Sequence, residues 1–571
     1  MRFHVKAFLP VALGAAIGWA QTPANLRQAL DAIQSKDYQK AISLLESEVR
    51  RSPDMEEGHY YLGLALWEVG RKDEAVAAVK KARQLSSKNP EYLFTLGKFL
   101  LDQKNYAEAK STFQEGLKQK NKANFLFGLG QVYVAQDSID KGLEFLLQAR
   151  EADPSNSKIY RSIGDAYAKQ KVLSLAIDNY NKTVEIEPGW LEVHFTLGKL
   201  YFRERRVNEA LAAFKKAVEL DPTNAEAHYE VGNLYYLAKR PQEALPELEQ
   251  FVKLKPTSYQ GQLVLAKTLS TLRKLPEAVA SAERAYEINP TTDALELLAR
   301  LYFDSRDSTS LQKSVDAYAK LSQSNGYQLE NDNYLRWGRA LARLKRYGEA
   351  IPKFETYLKT DSTQAEVYNE IGGLYIREKR FDEAIAAFDR RVGLTPLSEV
   401  KTKNDSSSLA RAYFNKGMCY MLTQDFPSAV TTLKTGLLFE KNYTQAWTWV
   451  AQSYGQMDST AQIRAAYEEV LRLDPNNKEA NRQLGFYYLV KASLNKSEEG
   501  GADKKSLEAA AGYLKKAVEL DPANELSHLW LAQTYHSLGK VPEAKAEYSA
   551  TLRVNPRNAD ALKGLKVLES Y

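Results

Sequence analysis

A small residue punctuates the apolar pattern of this chain at a nearly constant interval: Ala29, Gly63, Gly97, Gly130, Gly164, Gly198, Gly232, Ala266, Ala299, Gly338, Gly372, Gly417, Ala451, Gly485 and Ala532. The spacing is 34 residues nine times and 33 twice, and the three longer intervals (39, 45 and 47) mark copies that carry insertions. A fixed period of this size is the sign of a solenoid, in which each short unit stacks only on its neighbours. The sixth copy, residues 191–224, reads LEVHFTLGKLYFRERRVNEALAAFKKAVELDPTN. With Leu191 as position 1, His194, Leu197, Gly198 and Tyr201 fall at positions 4, 7, 8 and 11, one stripe of a first helix, A. After the polar break Arg205–Val207, Ala210, Phe214 and Ala217 at positions 20, 24 and 27 make the stripe of a second helix, B. Pro222 at position 32 ends helix B, because proline lacks the backbone donor and disfavours helix in the residue before it.

Small residues at 8 and 20 have a packing reason: two helices joined by a short turn lie close, and a bulky side chain at the crossing holds them apart. Glycine in a helix interior costs about 1 kcal/mol relative to alanine, so fifteen positions held to Gly or Ala imply a steric demand. Aromatic residues at 11 and 24, such as Tyr133, Tyr201, Phe113 and Phe214, are expected to fill the space between hairpins.

Leu-Gly at 7–8, Tyr at 11, Ala at 20, Phe or Tyr at 24, Ala at 27 and Pro at 32 together resemble the tetratricopeptide repeat family over nearly the whole chain. Proline stands at position 32 in ten copies, from Pro53 to Pro556. The resemblance implies an all-α fold: an α-solenoid of about fifteen helical hairpins forming a right-handed superhelix, with helix A lining a concave groove that binds protein partners.

The ends and interruptions divide the chain. Arg2 and Lys6 precede an uncharged, largely apolar run, Ala7–Ala20, which reads as a secretory signal peptide over residues 1–20. At 14 residues that run is short of the roughly 20 that span a bilayer, so the expectation is a periplasmic or secreted protein with no direct membrane span. Repeats one to eleven follow over 21–396. An insertion loop is expected at 397–409, which contains KTKNDSSS, and repeats twelve to fifteen over 410–558. The ninth copy, 292–330, is five residues too long, with the excess expected around Asp304–Lys313; the fourteenth carries an insertion near 491–504. Residues 559–571 read as a capping helix for the open end of the stack.

Little in the chain suggests chemistry. The net charge is +6, falling to +4 without Arg2 and Lys6, and its signs are interspersed, so neither nucleic acid nor an acidic membrane surface is expected as a partner. Of six histidines, His59, His194, His228 and His528 all occupy position 4, and no Cys or His cluster has metal-ligand spacing. The single cysteine, Cys419, lies on helix A of copy twelve and reads as a packing residue. No phosphate-binding glycine loop or nucleophile elbow occurs. The expectation is a non-enzymatic protein with no cofactor, no metal and no catalytic residue.

Positions 2, 5, 9 and 12 lie beside the packed stripe, and the family resemblance makes that face the groove. Copies five to eight supply Lys158, Arg161, Phe195, Lys199, Phe202, Tyr229, Asn233, Tyr236 and Lys267, with Arg203 adjacent. This cationic and aromatic strip is the predicted protein-binding site, suited to an extended, acidic or polar segment. Copies twelve and fourteen offer a competing apolar strip of Phe414, Met418, Met421, Phe486 and Leu489. The leading expectation is an interaction scaffold of the bacterial envelope. The alternative is a glycan-handling solenoid of an exopolysaccharide system, with Tyr229 and Tyr236 stacking on sugar rings.

Overall fold

The computed structural model describes residues 23–119, 122–395, 402–494 and 503–570. The expected signal peptide at 1–20 lies outside them. The described chain forms 31 helices and no strand. It divides after Lys274 into two compact units, Met1–Lys274 and Leu275–Tyr571. Within each unit a helix packs on the next in sequence, and A helices also touch the A helix that follows, with no longer-range pairing. That is the nearest-neighbour stacking of a solenoid.

Position 8 answers to position 24. In copy six, Leu191–Arg203 and Val207–Leu220 form the hairpin, and a methyl group on Gly198 would lie 2.6 Å from the Phe214 ring. The same approach recurs at Gly97 and Phe113 (2.4 Å), Gly338 and Phe354 (2.9 Å), and Gly372 and Phe388 (2.7 Å). All four Phe rings are buried. Phe113 is also covered from the next repeat, where a methyl on Gly128 would lie 2.5 Å away. The residue at 24 therefore fills the hairpin's own crossing as well as the space between hairpins. Position 11 ties neighbouring hairpins: the Tyr201 hydroxyl donates to Asn181 Oδ1 of copy five at 2.9 Å, and Tyr375 to Glu355 of copy ten at 2.7 Å.

The turn between A and B turns on one residue. Position 15 has positive φ in every copy but the fourteenth, where the insertion falls. Only Gly70 and Gly539 there are glycine; nine of the others are Lys or Arg, and the rest Asp137, Gln424 and Asp458. In copy six Arg205 (φ 59°) donates its backbone N–H to Phe202 O at 3.0 Å, and Arg206 to Tyr201 O at 2.9 Å. This pair of bonds is the Schellman cap, which satisfies the last carbonyls of helix A. The left-handed conformation costs a residue with a side chain roughly 1–2 kcal/mol, a strain that the two capping bonds offset.

The histidines at position 4 do more than fill space. Nε2 of His59, His194, His228 and His528 lies 2.9–3.0 Å from the carbonyl of the proline six residues earlier. Gln262 and Asn481 donate to Pro256 and Pro475 in the same way. Position 4 thus satisfies a carbonyl left over where the preceding helix B has ended.

Two insertions differ from the sequence reading. In copy nine the tip is only Arg306–Asp307, between helices Thr292–Ser305 and Ser308–Ser322. Most of the excess lies instead in the connection 323–330, where Gly326 takes φ 74°, Leu329 is buried and the Tyr327 hydroxyl donates to Glu296 at 2.5 Å. The expected loop 397–409 is helix from Lys403: residues 397–401 lie outside the described set, and Lys403–Leu422 is one helix of 20 residues. Thr402 and Asp405 close a capping box at its start, so the polar run caps and begins the helix. The extension serves a buried charge. Arg391 takes position 27, where Ala82, Ala149, Ala217 and Ala285 stand in other copies, and is 3% exposed. Its guanidinium donates to Thr395 (2.7 Å), Glu366 (3.1 Å) and Ser408 (3.0 Å), and Ser408 in turn donates to Glu366. In copy fourteen the insertion lengthens both arms of the hairpin, Lys478–Leu494 and Lys504–Leu520, to 17 residues each. The last helix, Ala559–Glu569, sets Gly564 beneath the Tyr548 ring.

The Cβ that Gly198 lacks would lie 2.6 Å from the buried Phe214 ring. Gly198→Ala is therefore expected to destabilise unit 1 by about 1–3 kcal/mol, read as faster proteolysis within residues 157–258. Adding Phe214→Leu should restore part of the loss. Unchanged protection in the single variant would overturn the close-packing assignment.

Candidate functional site

Helix A of copies three, four and five spans Pro90–Asp102, Lys122–Ala135 and Ser157–Lys169. Positions 9, 12 and 13 of these helices meet around one hollow of about 790 Å³, with Leu101, Val134, Ala135, Leu146 and Ala168 among its walls. Four cations line it, Lys98, Lys104, Arg161 and Lys169, against two carboxylates, Asp102 and Asp165. Asp165 is already engaged: the Tyr180 hydroxyl donates to it at 2.6 Å, and Arg161 stands 3.9 Å away. The Arg161 guanidinium lies 5.0 Å from the Trp190 ring centre, which holds the fork flat at the rim. Lys169 donates to the Val134 carbonyl at 3.1 Å, joining copy five to copy four.

Lys98 is the most perturbed of these groups. It is half-buried, with Nζ 5.7 Å from the Phe94 ring centre. Burial, reinforced by the Lys158 charge, pushes its ammonium down to about 8, while Asp102 pulls the other way. A cation held against desolvation at the wall of a cleft is relieved by an anion from outside.

The residues predicted from sequence fall into two groups. Lys158 and Arg161 belong with the hollow, Lys158 through its charge on Lys98 and Arg161 at its lining. Phe195, Lys199 and Tyr229 form a second cluster in copies six and seven. Lys199 Nζ lies 4.5 Å over the Phe195 ring, and Phe195 meets Phe214 edge-on at 5.4 Å. Tyr229 packs against Phe251 at 5.0 Å, so both rings are half-buried by their own helix B. Burial raises the Glu230 carboxyl and Lys199 draws it back down; Glu226 is ion-paired with Lys255. Acidic side chains therefore already offset the cations of this cluster. Asn233, Tyr236 and Lys267 are half-buried, whereas Phe202 and Arg203 are exposed where helix A meets its tip.

Lys98, Lys104, Gln131 and Lys169 were not among the predicted residues. A signal for Lys98 was present: it is the only cation in the helix Pro90–Asp102, otherwise largely apolar. In unit 2 the apolar strip does not hold together. Phe414 is buried and stacked on Tyr443 at 4.7 Å, while Phe486 stays 38% exposed beside a smaller hollow of about 380 Å³. Cys419 is buried, and burial pushes its thiol up to about 12, far from the range of a reactive thiolate.

Family models described as tetratricopeptide repeat match residues 26–90, 195–259 and 335–399, 70–126 and 502–567, and 444–477, together more than half of the chain. The human DnaJ homolog subfamily C member 7 is 22% identical over 199 residues, 35% of this chain and 38% of that protein. Human RNA polymerase II-associated protein 3 is 26% identical over 179 residues, 30% of this chain and 25% of that protein. The chain thus spans well under half the length of these curated relatives. Among solved structures, the C-terminal part of a TPR repeat-containing protein from Cytophaga hutchinsonii is 21% identical with TM-score 0.35, covering 44% of this chain and 99% of that one. The APC/C hetero-tetramer Cut9-Hcn1 is 15% identical with TM-score 0.32, covering 82% and 97%. Proteins built from this repeat act as protein-interaction scaffolds that bind partners or peptides. The positions by which the sequence resembles the repeat are the ones that make the hairpin contacts, and this chain belongs to the tetratricopeptide repeat family.

Proposed function

We propose that this protein is a non-enzymatic scaffold of the bacterial cell envelope whose first unit holds an extended, acidic segment of a partner protein. The observation that carries the reading is the hollow of copies three to five, which Lys98 and Arg161 line as two of four cations against two carboxylates. A carboxylate entering there meets a preorganised guanidinium and an ammonium whose desolvation is already imposed by the fold. The segment then continues along the groove to Lys199, Phe195 and Tyr229, where the rings add rigid contact area. The envelope location rests on the sequence of residues 1–20, and N-terminal sequencing of the protein from an envelope fraction tests it: a mature start at Gln21 supports export. The glycan reading is less supported, since Tyr229 is engaged by Phe251.

Display selection of peptides on the full chain, followed by calorimetry, tests the acidic preference. Selected peptides should be rich in Asp and Glu. Lys98→Met and Arg161→Ala are each expected to weaken them by roughly 1–2 kcal/mol, about tenfold. Lys98→Met should melt no lower than wild type, because it removes a charge from a desolvated place. Selection of apolar or basic peptides, or no effect of either variant, would overturn the reading. If Phe195→Ala/Tyr229→Ala abolishes binding while Lys98→Met leaves it intact, the anchor lies in copies six and seven instead.

The affinity should also depend on pH. Lys98 carries its charge below about 8 and loses it above, so binding of an acidic peptide should weaken as pH rises from about 7 to 9. Lys98→Arg keeps the charge throughout that range and should flatten the profile. A profile that does not change between wild type and Lys98→Arg removes Lys98 from the site.

A further inference from the structure

A different surface of unit 1 combines exposed apolar side chains with cations. Among its described residues six large apolar side chains are exposed: Val172, Leu175, Phe202, Val207, Leu220 and Leu237. All but Leu220 lie at or beside the tips of three successive hairpins, those of copies five, six and seven; copies one to four expose none. The same tips carry Lys171, Arg205 and Lys239 at the left-handed position 15, with φ of 63°, 59° and 57°, and all three are exposed.

These cations differ from their neighbours. At position 16, Arg206 and Arg240 are used within the fold: each lies over the Tyr of its own helix A (4.5 and 4.9 Å) and pairs with the Glu three residues on. Lys171, Arg205 and Lys239 form no ion pair among the described residues. The tip of copy five lies against the start of helix B in copy four, as the bond from Gln170 to Asp140 (2.5 Å) records, and the repeat carries the same stacking forward. Unpaired cations and protruding apolar groups are thus set along one edge at the interval of the repeat.

Protein partners seat apolar side chains in complementary pockets, and these stand out singly among charges. A fluid anionic interface accommodates such points wherever they fall: the apolar tips enter the headgroup region and the cations face phosphates. We propose that the hairpin-tip edge of copies five to seven, where Val172, Leu175, Val207 and Leu237 are interspersed with Lys171, Arg205 and Lys239, is a peripheral docking surface for membranes containing anionic phospholipid. The net charge of the whole chain had argued against such a partner, but that sum conceals a local cluster. No described helix is long and apolar enough to cross a membrane, so the contact is superficial.

Sedimentation of the full chain with vesicles tests this, using phosphatidylcholine alone and an equal mixture with phosphatidylglycerol. Wild type should bind the mixed vesicles at least about tenfold more strongly than the neutral ones, and lose that advantage in high salt. Lys171→Glu/Arg205→Glu/Lys239→Glu should remove the preference, and Leu175→Ser/Leu237→Ser should weaken binding several-fold. Unchanged circular dichroism controls for folding, and Lys171→Arg/Lys239→Arg should behave as wild type. Equal binding to both vesicles, or charge-reversed protein that binds as wild type, overturns the proposal. Failure to bind any vesicle, with retention on an acidic polymer, overturns it in favour of a soluble polyanion.

Discussion

The pressure of a large side chain at position 24 on a residue with almost no side chain at position 8 is the contact on which every hairpin depends but the eighth, where Ala282 stands at 24. It fixes how closely helix B approaches helix A, and hence the angle at which positions 5, 9 and 12 leave the neighbouring face of helix A. A solenoid has no central core to average out an error. One displaced crossing would tilt every groove residue of that copy against the next. The hollow of copies three to five joins side chains from three hairpins, and therefore relies on Gly97 with Phe113, Gly130 with Leu146 and Gly164 with Tyr180 all closing correctly.

Much of this was legible in the sequence because a repeated pattern is read many times over. The stripes at 4, 7, 8 and 11 and at 20, 24 and 27, and the proline stop, assign the helices without any single copy being decisive. The tips were harder. Glycine is the usual sign of a left-handed residue, and Lys or Arg stands there in most copies, so the turn showed only as a polar break. The insertions misled for a related reason: a Ser- and Asp-rich run has the composition of a loop, yet Thr402 and Asp405 spend it on a helix cap. The candidate site was legible by face but not by place. Residues of one copy can be assigned to a face from periodicity, whereas a hollow depends on which neighbours leave space between them, and on which charges already have partners. Lys199 looked open to a partner until Glu226 and Glu230 were found beside it.

Charge illustrates the same point at a larger scale. A modest excess spread over a long chain is uninformative as a sum, because pairing removes most charges from consideration. What matters is the remainder: at the tips of copies six and seven, glutamates at position 19 and tyrosine rings at position 11 hold the arginines of position 16, and the cations of position 15 stay outside those pairs. Pairing that looks decorative on a surface thus determines which surfaces stay available.

Repeat arrays change length by recombination between near-identical copies, which works where any unit can follow any other. The buried Arg391 withdraws one junction from that exchange. Its guanidinium donates to Glu366 and Thr395 within copy eleven and to Ser408, supplied by the lengthened helix Lys403–Leu422, in copy twelve. A duplication or deletion that placed an ordinary copy after Arg391 would keep Glu366 and Thr395 but remove the Ser408 bond, a loss of about 1.5–3 kcal/mol for a hydrogen bond to a charged group. The array can be lengthened or shortened elsewhere, but copies eleven and twelve must be inherited together.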